Sequence, residues 1–223
     1  MDVILAAKGL TKTFQSSGGE VPVLRGVNLE VRPGEFIGLV GPSGCGKSTL
    51  LNILGLADRA STGEVLLGGS PMQTASESLL RTMRRTRLGY VFQHFNLLST
   101  LTVIENVMVP LVLNQVPVKK AKEEARSILQ RVELAHRHDA MPYSLSGGEM
   151  QRVAIARAVI HKPLVILADE PTGSLDSRSG ESVLELLSEQ VKNGLALVMA
   201  THSEAALQRC SRVVRMQDGL IEH

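Results

Sequence analysis

Short apolar runs, closed by glycine, proline or acidic residues, recur along this chain and alternate with stretches of helical spacing. Such runs mark strands, and apolar positions three and four apart mark helices. VILAAKGL (3–10) and LRGVNLEV (24–31) predict strands on either side of a polar turn, SSGGE (16–20). EFIGLVG (35–41) is continuously apolar and predicts a buried strand, and KSTLLNILGL (47–56) then has helical spacing, with Gly55 near its end. GEVLLGG (63–69) predicts a short strand or hairpin, and LGYVFQ (88–93) another strand. From about residue 100 to 144 the pattern turns helical, including a polar amphipathic stretch at 119–134, and MQRVAIARAVI (150–160) is helical again. LVILADE (164–170), ALVMATH (196–202) and RVVRMQDG (212–219) complete the strands.

Strands alternating with helices predict an α/β core with a mainly parallel sheet, preceded by an antiparallel β part. The helical region, approximately 94–155, would form a lobe inserted between core segments 1–93 and 156–223 of one domain. The hydrophobic fraction, 43% of 223 residues, is enough for a sizeable core. A net charge of +2 gives no case for nucleic acid, and 3% aromatics without tryptophan argue against a base-stacking surface. Cys45 and Cys210 form neither a disulfide framework nor a metal-ligand set, so a reducing cytosol fits. The opening MDVILAAKGL carries acidic Asp2 where a signal peptide is basic, and reads as a strand. No apolar stretch approaches the roughly 18 residues of a membrane span, so action at a membrane would need another protein.

GPSGCGKST (41–49) holds the full G-x-x-x-x-G-K-[ST] pattern between a predicted strand and a predicted helix. Gly41, Pro42, Ser43, Gly44, Cys45 and Gly46 would form a loop whose backbone N–H groups wrap phosphate. Lys47 would reach the β- and γ-phosphates, and Ser48, followed by Thr49, would ligate Mg²⁺. A glycine-rich turn with a surface lysine is the plainer alternative. Asp169, at the end of an apolar run, would stand on the Mg²⁺ side, and Glu170 could polarise an attacking water. His202, at another strand end, could hydrogen-bond the γ-phosphate. Gln93 could ligate Mg²⁺ through its amide oxygen. His94, His136, His138, His161 and His223 have no comparable setting. LSGGEMQR (145–152) offers a second phosphate cradle, or only a serine cap on a helix.

In order along the chain, Phe14, GPSGCGKST, Gln93, LSGGE, LADEP with SLD (174–176), and His202 resemble the nucleotide-binding subunit of an ABC (ATP-binding cassette) transporter. Residues 80–111 and DEPTGSLD (169–176) look like the branch of the lipoprotein-releasing and macrolide-efflux ATPases, with a cell-division ATPase nearby. The resemblance implies an ATPase with ATP and Mg²⁺ at the site, Phe14 stacking on adenine, and a homodimer sandwiching ATP head to tail. Ser146, Gly147 and Gly148 would then meet the γ-phosphate held by the partner. Glu149 stands where the family usually has glutamine, and Asp176 would make a contact across the dimer. An integral membrane permease-like subunit is implied, docking a short helix near HFNLLSTLTV (94–103), with this chain peripheral on the cytoplasmic face of the inner membrane. The alternative is a soluble ATPase clamp on nucleic acid or ribosomes; one cassette and no sustained heptads speak against it.

Overall fold

The computed structural model describes residues 3–16 and 18–222; Met1, Asp2, Ser17 in the expected turn, and His223 lie outside it. In chain order the elements are β1 (Leu5–Ser16), β2 (Gly19–Val31), β3 (Phe36–Val40), α1 (Lys47–Leu54), β4 (Thr62–Leu67), β5 (Ser70–Pro71), α2 (Glu77–Arg87) and β6 (Leu88–Phe92). Next come α3 (Val103–Leu113), α4 (Val118–Arg131), α5 (Gly147–Val159), β7 (Val165–Asp169), α6 (Ser177–Lys192), β8 (Ala196–Ala200), α7 (Glu204–Leu207), β9 (Arg212–Gln217) and β10 (Leu220–Glu222).

One sheet is antiparallel, in the order β2-β1-β4-β5; the other runs β10-β9-β3-β8-β7-β6 and is parallel except at its β10 edge. The parallel strands alternate between two apolar faces. Ile37, Leu39, Val165, Leu167 and Val198 pack with α1 and the antiparallel sheet. Phe36, Ile166, Ala168, Leu197 and Met199 pack with α3 to α6. Both faces are therefore covered, which is why these strands read as continuous apolar runs rather than alternating ones. Each fully buried leucine or isoleucine contributes about 1.5–3 kcal/mol.

Several elements depart from the sequence pattern. β1 and β2 are longer than expected, because their outer halves are largely exposed, without a buried apolar run, and are held by pairing such as Phe14↔Val21 and Gln15↔Glu20. α2 and α6 were not anticipated. Among the residues of α2 only Leu80 is buried, so the helix has almost no apolar stripe; Ser76 caps its start and Arg84, Arg85 and Arg87 lie in its last turn. α6 does bury Val183, Leu184 and Leu187, at helical spacing behind the Asp176 cap. α5 begins at Gly147 rather than residue 150 and continues unbroken across 155, where the helical lobe was expected to end.

Candidate functional site

β3, β8, β7 and β6 are neighbours in register, with Leu39 beside Ala200, Ala200 beside Asp169, and Asp169 beside Phe92. The residues just past each strand therefore emerge along one edge: the 41–49 loop, His202, Glu170 and Gln93. Ligand sites of parallel α/β sheets gather at such carboxyl ends. A cavity of about 250 Å³ opens here, lined by Val23, parts of the loop, Asp169, Glu170 and His202. A larger groove, of about 650 Å³, lies at the opposite ends of the strands beside Pro33, Leu164 and Leu195, and holds none of the motif residues.

The loop's shape requires its glycines. At Gly41 (φ 151°) a Cβ would sit 2.0 Å from the Met216 carbonyl oxygen. Gly46, in the left-handed region at φ 107°, ends the loop, and no side chain caps α1, so its first-turn N–H groups face the cavity end uncapped. Lys47 is buried and folds back, Nζ donating to the carbonyl oxygens of Gly41 (2.6 Å) and Pro42 (3.0 Å), with Cys45 Sγ at 3.9 Å. Ser43, Gly44, Gly46, Lys47, Ser48 and Thr49 line the cavity; Gly41, Pro42 and Cys45 back the loop.

Glu170 adopts φ 46°, a conformation that costs a non-glycine residue about 1–3 kcal/mol. Its N–H donates to the Ala200 carbonyl (2.9 Å) and its carbonyl accepts from the Gly173 N–H (3.0 Å). Held so, its Oε1 lies 3.4 Å from His202 Nε2. The turn that carries His202 is braced by the fully buried Thr201, whose Oγ1 accepts the Ser203 N–H (3.0 Å), while the His202 side chain itself is exposed. Ser48 and Asp169 face the same cavity, and a hydroxyl with one carboxylate matches the oxygen donors Mg²⁺ takes when phosphates and water supply the rest.

Two expected members stand apart from the cavity lining. Gln93 packs its amide against Gly173, where a Cβ would lie 3.1 Å from Nε2. Phe14 is 42% exposed, with Lys12 Nζ 4.8 Å from its ring centroid; its strand partner Val21 lies two residues from the cavity-lining Val23.

Ser146, Gly147, Gly148, Glu149 and Asp176 form a second group, none of it lining that cavity. Ser146 caps α5 by accepting the Glu149 N–H at 3.3 Å, and Glu149 Oε2 accepts the Ser146 N–H at 2.8 Å. Glu149 Oε1 pairs with Arg137 Nε at 3.1 Å. Burial raises the pKa of this carboxyl, but the bonds from Ser146 and Arg137 outweigh it and hold it below the usual value. Both carboxylate oxygens are thus engaged within the chain, and Glu149 secures the helix start. Asp176 caps α6, accepting the Ser179 N–H at 3.0 Å; hydrogen bonding from the Ser179 side chain, and then from its N–H, lowers the Asp176 pKa. The two helix starts pack together: a Cβ on Gly147 would lie 3.3 Å from Leu175, and one on Gly148 2.7 Å from Ser179 Oγ.

Sequence reasoning missed Val23, Thr201, Arg157 and Gln151. Arg157 donates to the carbonyls of Asn96 (2.6 Å) and Phe95 (2.8 Å), fixing both residues at positive φ just after Gln93. An arginine within an otherwise apolar helical run, AIARAVI, was the available signal.

The ABC transporter family matches residues 24–173. The lipoprotein-releasing system ATP-binding protein LolD of Paramagnetospirillum magneticum is 45% identical over 218 residues, spanning 97% of this chain and 96% of that one. The macrolide export ATP-binding/permease protein MacB of Brucella melitensis is 42% identical over 98% of this chain, which covers only 34% of that longer protein. Among solved structures, the dimeric post-hydrolysis state of the ATP-binding cassette MJ0796, bound to ADP and Pi, superposes with a TM-score of 0.90 at 37% identity, covering 98% of this chain and 97% of that one. With the fold, the motif order and full-length relatives in agreement, this chain belongs to the ABC transporter family, as an ATP-binding cassette.

Proposed function

We propose that this chain hydrolyses ATP as one half of a homodimer and that the resulting motion drives a separate integral membrane subunit. The observation that carries the proposal is the split between the two groups of motif residues. Lys47, Ser48, Asp169, Glu170 and His202 surround one cavity, whereas Ser146 and its helix start lie outside it. A second copy, related by a two-fold axis, would bring its Ser146 and α5 N-terminus to the γ-phosphate held on the first, and the exchange makes two equal sites.

In this reading the loop N–H groups and Lys47 bind the β- and γ-phosphates, Lys47 giving up its bonds to the Gly41 and Pro42 carbonyls. Mg²⁺, held by Ser48 with Asp169 and Gln93 nearby, would neutralise developing phosphate charge. Glu170 accepts a proton from the attacking water, and His202 holds Glu170 and the γ-phosphate in line. Phe14, exposed on β1, offers its free ring face to adenine. The 94–103 segment, with Leu98 exposed, would receive a short helix of the membrane subunit. Among the described residues no helix is long and apolar enough to cross a membrane, and in this reading the partner would hold the chain against the cytoplasmic face of the inner membrane. LolD and MacB, by their names, serve lipoprotein release and macrolide export; export, lipoprotein release or mechanical signalling would all use this engine, with cargo set by the membrane subunit.

Glu170→Gln tests the assignment. The variant should bind ATP, lose about 10²- to 10⁴-fold in turnover, and accumulate as an ATP-bound dimer on gel filtration. Turnover at the unaltered rate would remove Glu170 as the base.

A further inference from the structure

Gln151 lies on α5, fully buried between that helix and the ends of β6 and β7. Its Nε2 donates to the carbonyl oxygen of Pro171 at 2.7 Å and to that of Phe92 at 3.3 Å. Both neighbours are acceptors, so the amide nitrogen must be the atom that faces them. Pro171 directly follows Glu170, which stands at positive φ, and Phe92 directly precedes Gln93. One amide group therefore grips the two backbone segments that carry the expected base and the expected Mg²⁺-side amide. Its Oε1 is buried without a hydrogen-bond partner among the described residues. An apolar side chain of similar size would fill this space without stranding an oxygen, so what glutamine adds is the pair of donated bonds.

We infer that Gln151 is a positioning residue for hydrolysis: it sets Glu170 through Pro171 and fastens that setting to α5, the helix whose first turn carries Ser146. The inference rests on the ATPase reading above. A partner's nucleotide seated on the α5 N-terminus would act on the same helix that holds Glu170 in place, so Gln151 is one of the links between that helix and the base.

Two variants of the full chain test it. Gln151→Leu keeps the volume and donates nothing. It should lower kcat on the order of 10- to 100-fold, the scale of a misplacement near 1 Å, while ATP affinity in a nucleotide titration and ATP-dependent dimer formation stay as in the unaltered chain. Gln151→Glu presents a carboxylate to two carbonyl oxygens at neutral pH. On acidification its carboxyl takes up a proton and can donate one bond to Pro171. The ratio of its kcat to that of the unaltered chain should therefore rise as pH falls. A residue that only fills space gives Gln151→Leu an unaltered kcat and Gln151→Glu a ratio flat with pH; either result overturns the inference. So does a fall in kcat matched by an equal loss of ATP affinity. If Gln151→Leu does not fold, the pH profile of Gln151→Glu decides alone. Absence of turnover by the unaltered chain would instead overturn the ATPase reading itself.

Discussion

Tyr90 stacks its ring on Phe92, centroids 5.6 Å apart, and carries its hydroxyl inward to Gly55, where a Cβ would come within 1.4 Å of the oxygen. That hydroxyl is buried with no partner among the described residues, and burial pushes its pKa well above the ordinary phenol value. Removing an unpaired buried hydroxyl relieves a desolvation penalty of about 1–3 kcal/mol. Tyr90→Phe should thus leave the denaturant midpoint unchanged or raise it; a clear drop would reveal a partner for the oxygen. His161 shows the same logic with a proton. Its Nε2 lies 2.9 Å from the Leu88 carbonyl and its Nδ1 is buried and unpaired among the described residues, so the neutral ring donates through Nε2. Burial lowers its pKa from 6.5, against a smaller opposing effect of the Leu88 bond. Above the ordinary value neither the folded nor the unfolded chain binds the proton, and the stabilisation is fully present. Below it the unfolded chain takes up a proton that the folded one refuses, so stability falls with pH until the lowered folded pKa is reached. Comparing unfolding at about pH 7.5 and about pH 5.5 should show this loss, and His161→Gln should shrink it.

At the scale of elements, α5 depends on its cap. Its first turn holds Gly147 and Gly148, each about 1 kcal/mol less favourable than alanine in a helix. The reciprocal bonds between Ser146 and Glu149 offset this. Ser146→Ala should cost about 1 kcal/mol, read as a lower midpoint in chemical unfolding and faster amide exchange in the 147–150 turn. The same eight residues show what was legible. LSGGEMQR carries the S-x-x-E of a capping box, and the chemistry of a helix start could be read from it. That Glu149 would turn inward to Arg137 could not, because Arg137 lies in a separate turn twelve residues earlier. The strands at 35–41, 164–170 and 196–202 were readable because burial on both faces leaves unbroken apolar runs. α2 was not, since Leu80 and the partly buried Met83 make too short a stripe among its polar residues. The cavity residues Lys47, Asp169, Glu170 and His202 followed from motif and strand-end position. Val23 had no such signal, since only the fold brings it to the cavity, while Thr201 stood beside His202 in a run read only for its apolar residues and its histidine. Gln151 stood within a helix already recognised, but its contacts with Phe92 and Pro171 exist only once β6 and β7 lie side by side.

For the whole molecule, the order β9-β3-β8-β7-β6 decides which parts meet within one chain. It gathers the loop, His202, Glu170 and Gln93 along one edge and leaves the α5 start elsewhere. That separation has a genetic meaning. In the proposed homodimer, Lys47→Ala would damage only the half-site a chain offers its own nucleotide, and Ser146→Arg only the half-site it lends to its neighbour. Each variant alone would then offer only spoiled sites. When the two are mixed, a heterodimer would concentrate both lesions in one site and rebuild the other from undamaged halves. Co-expressing the two inactive chains should restore ATP turnover that neither shows alone, so two null alleles of one gene would complement each other.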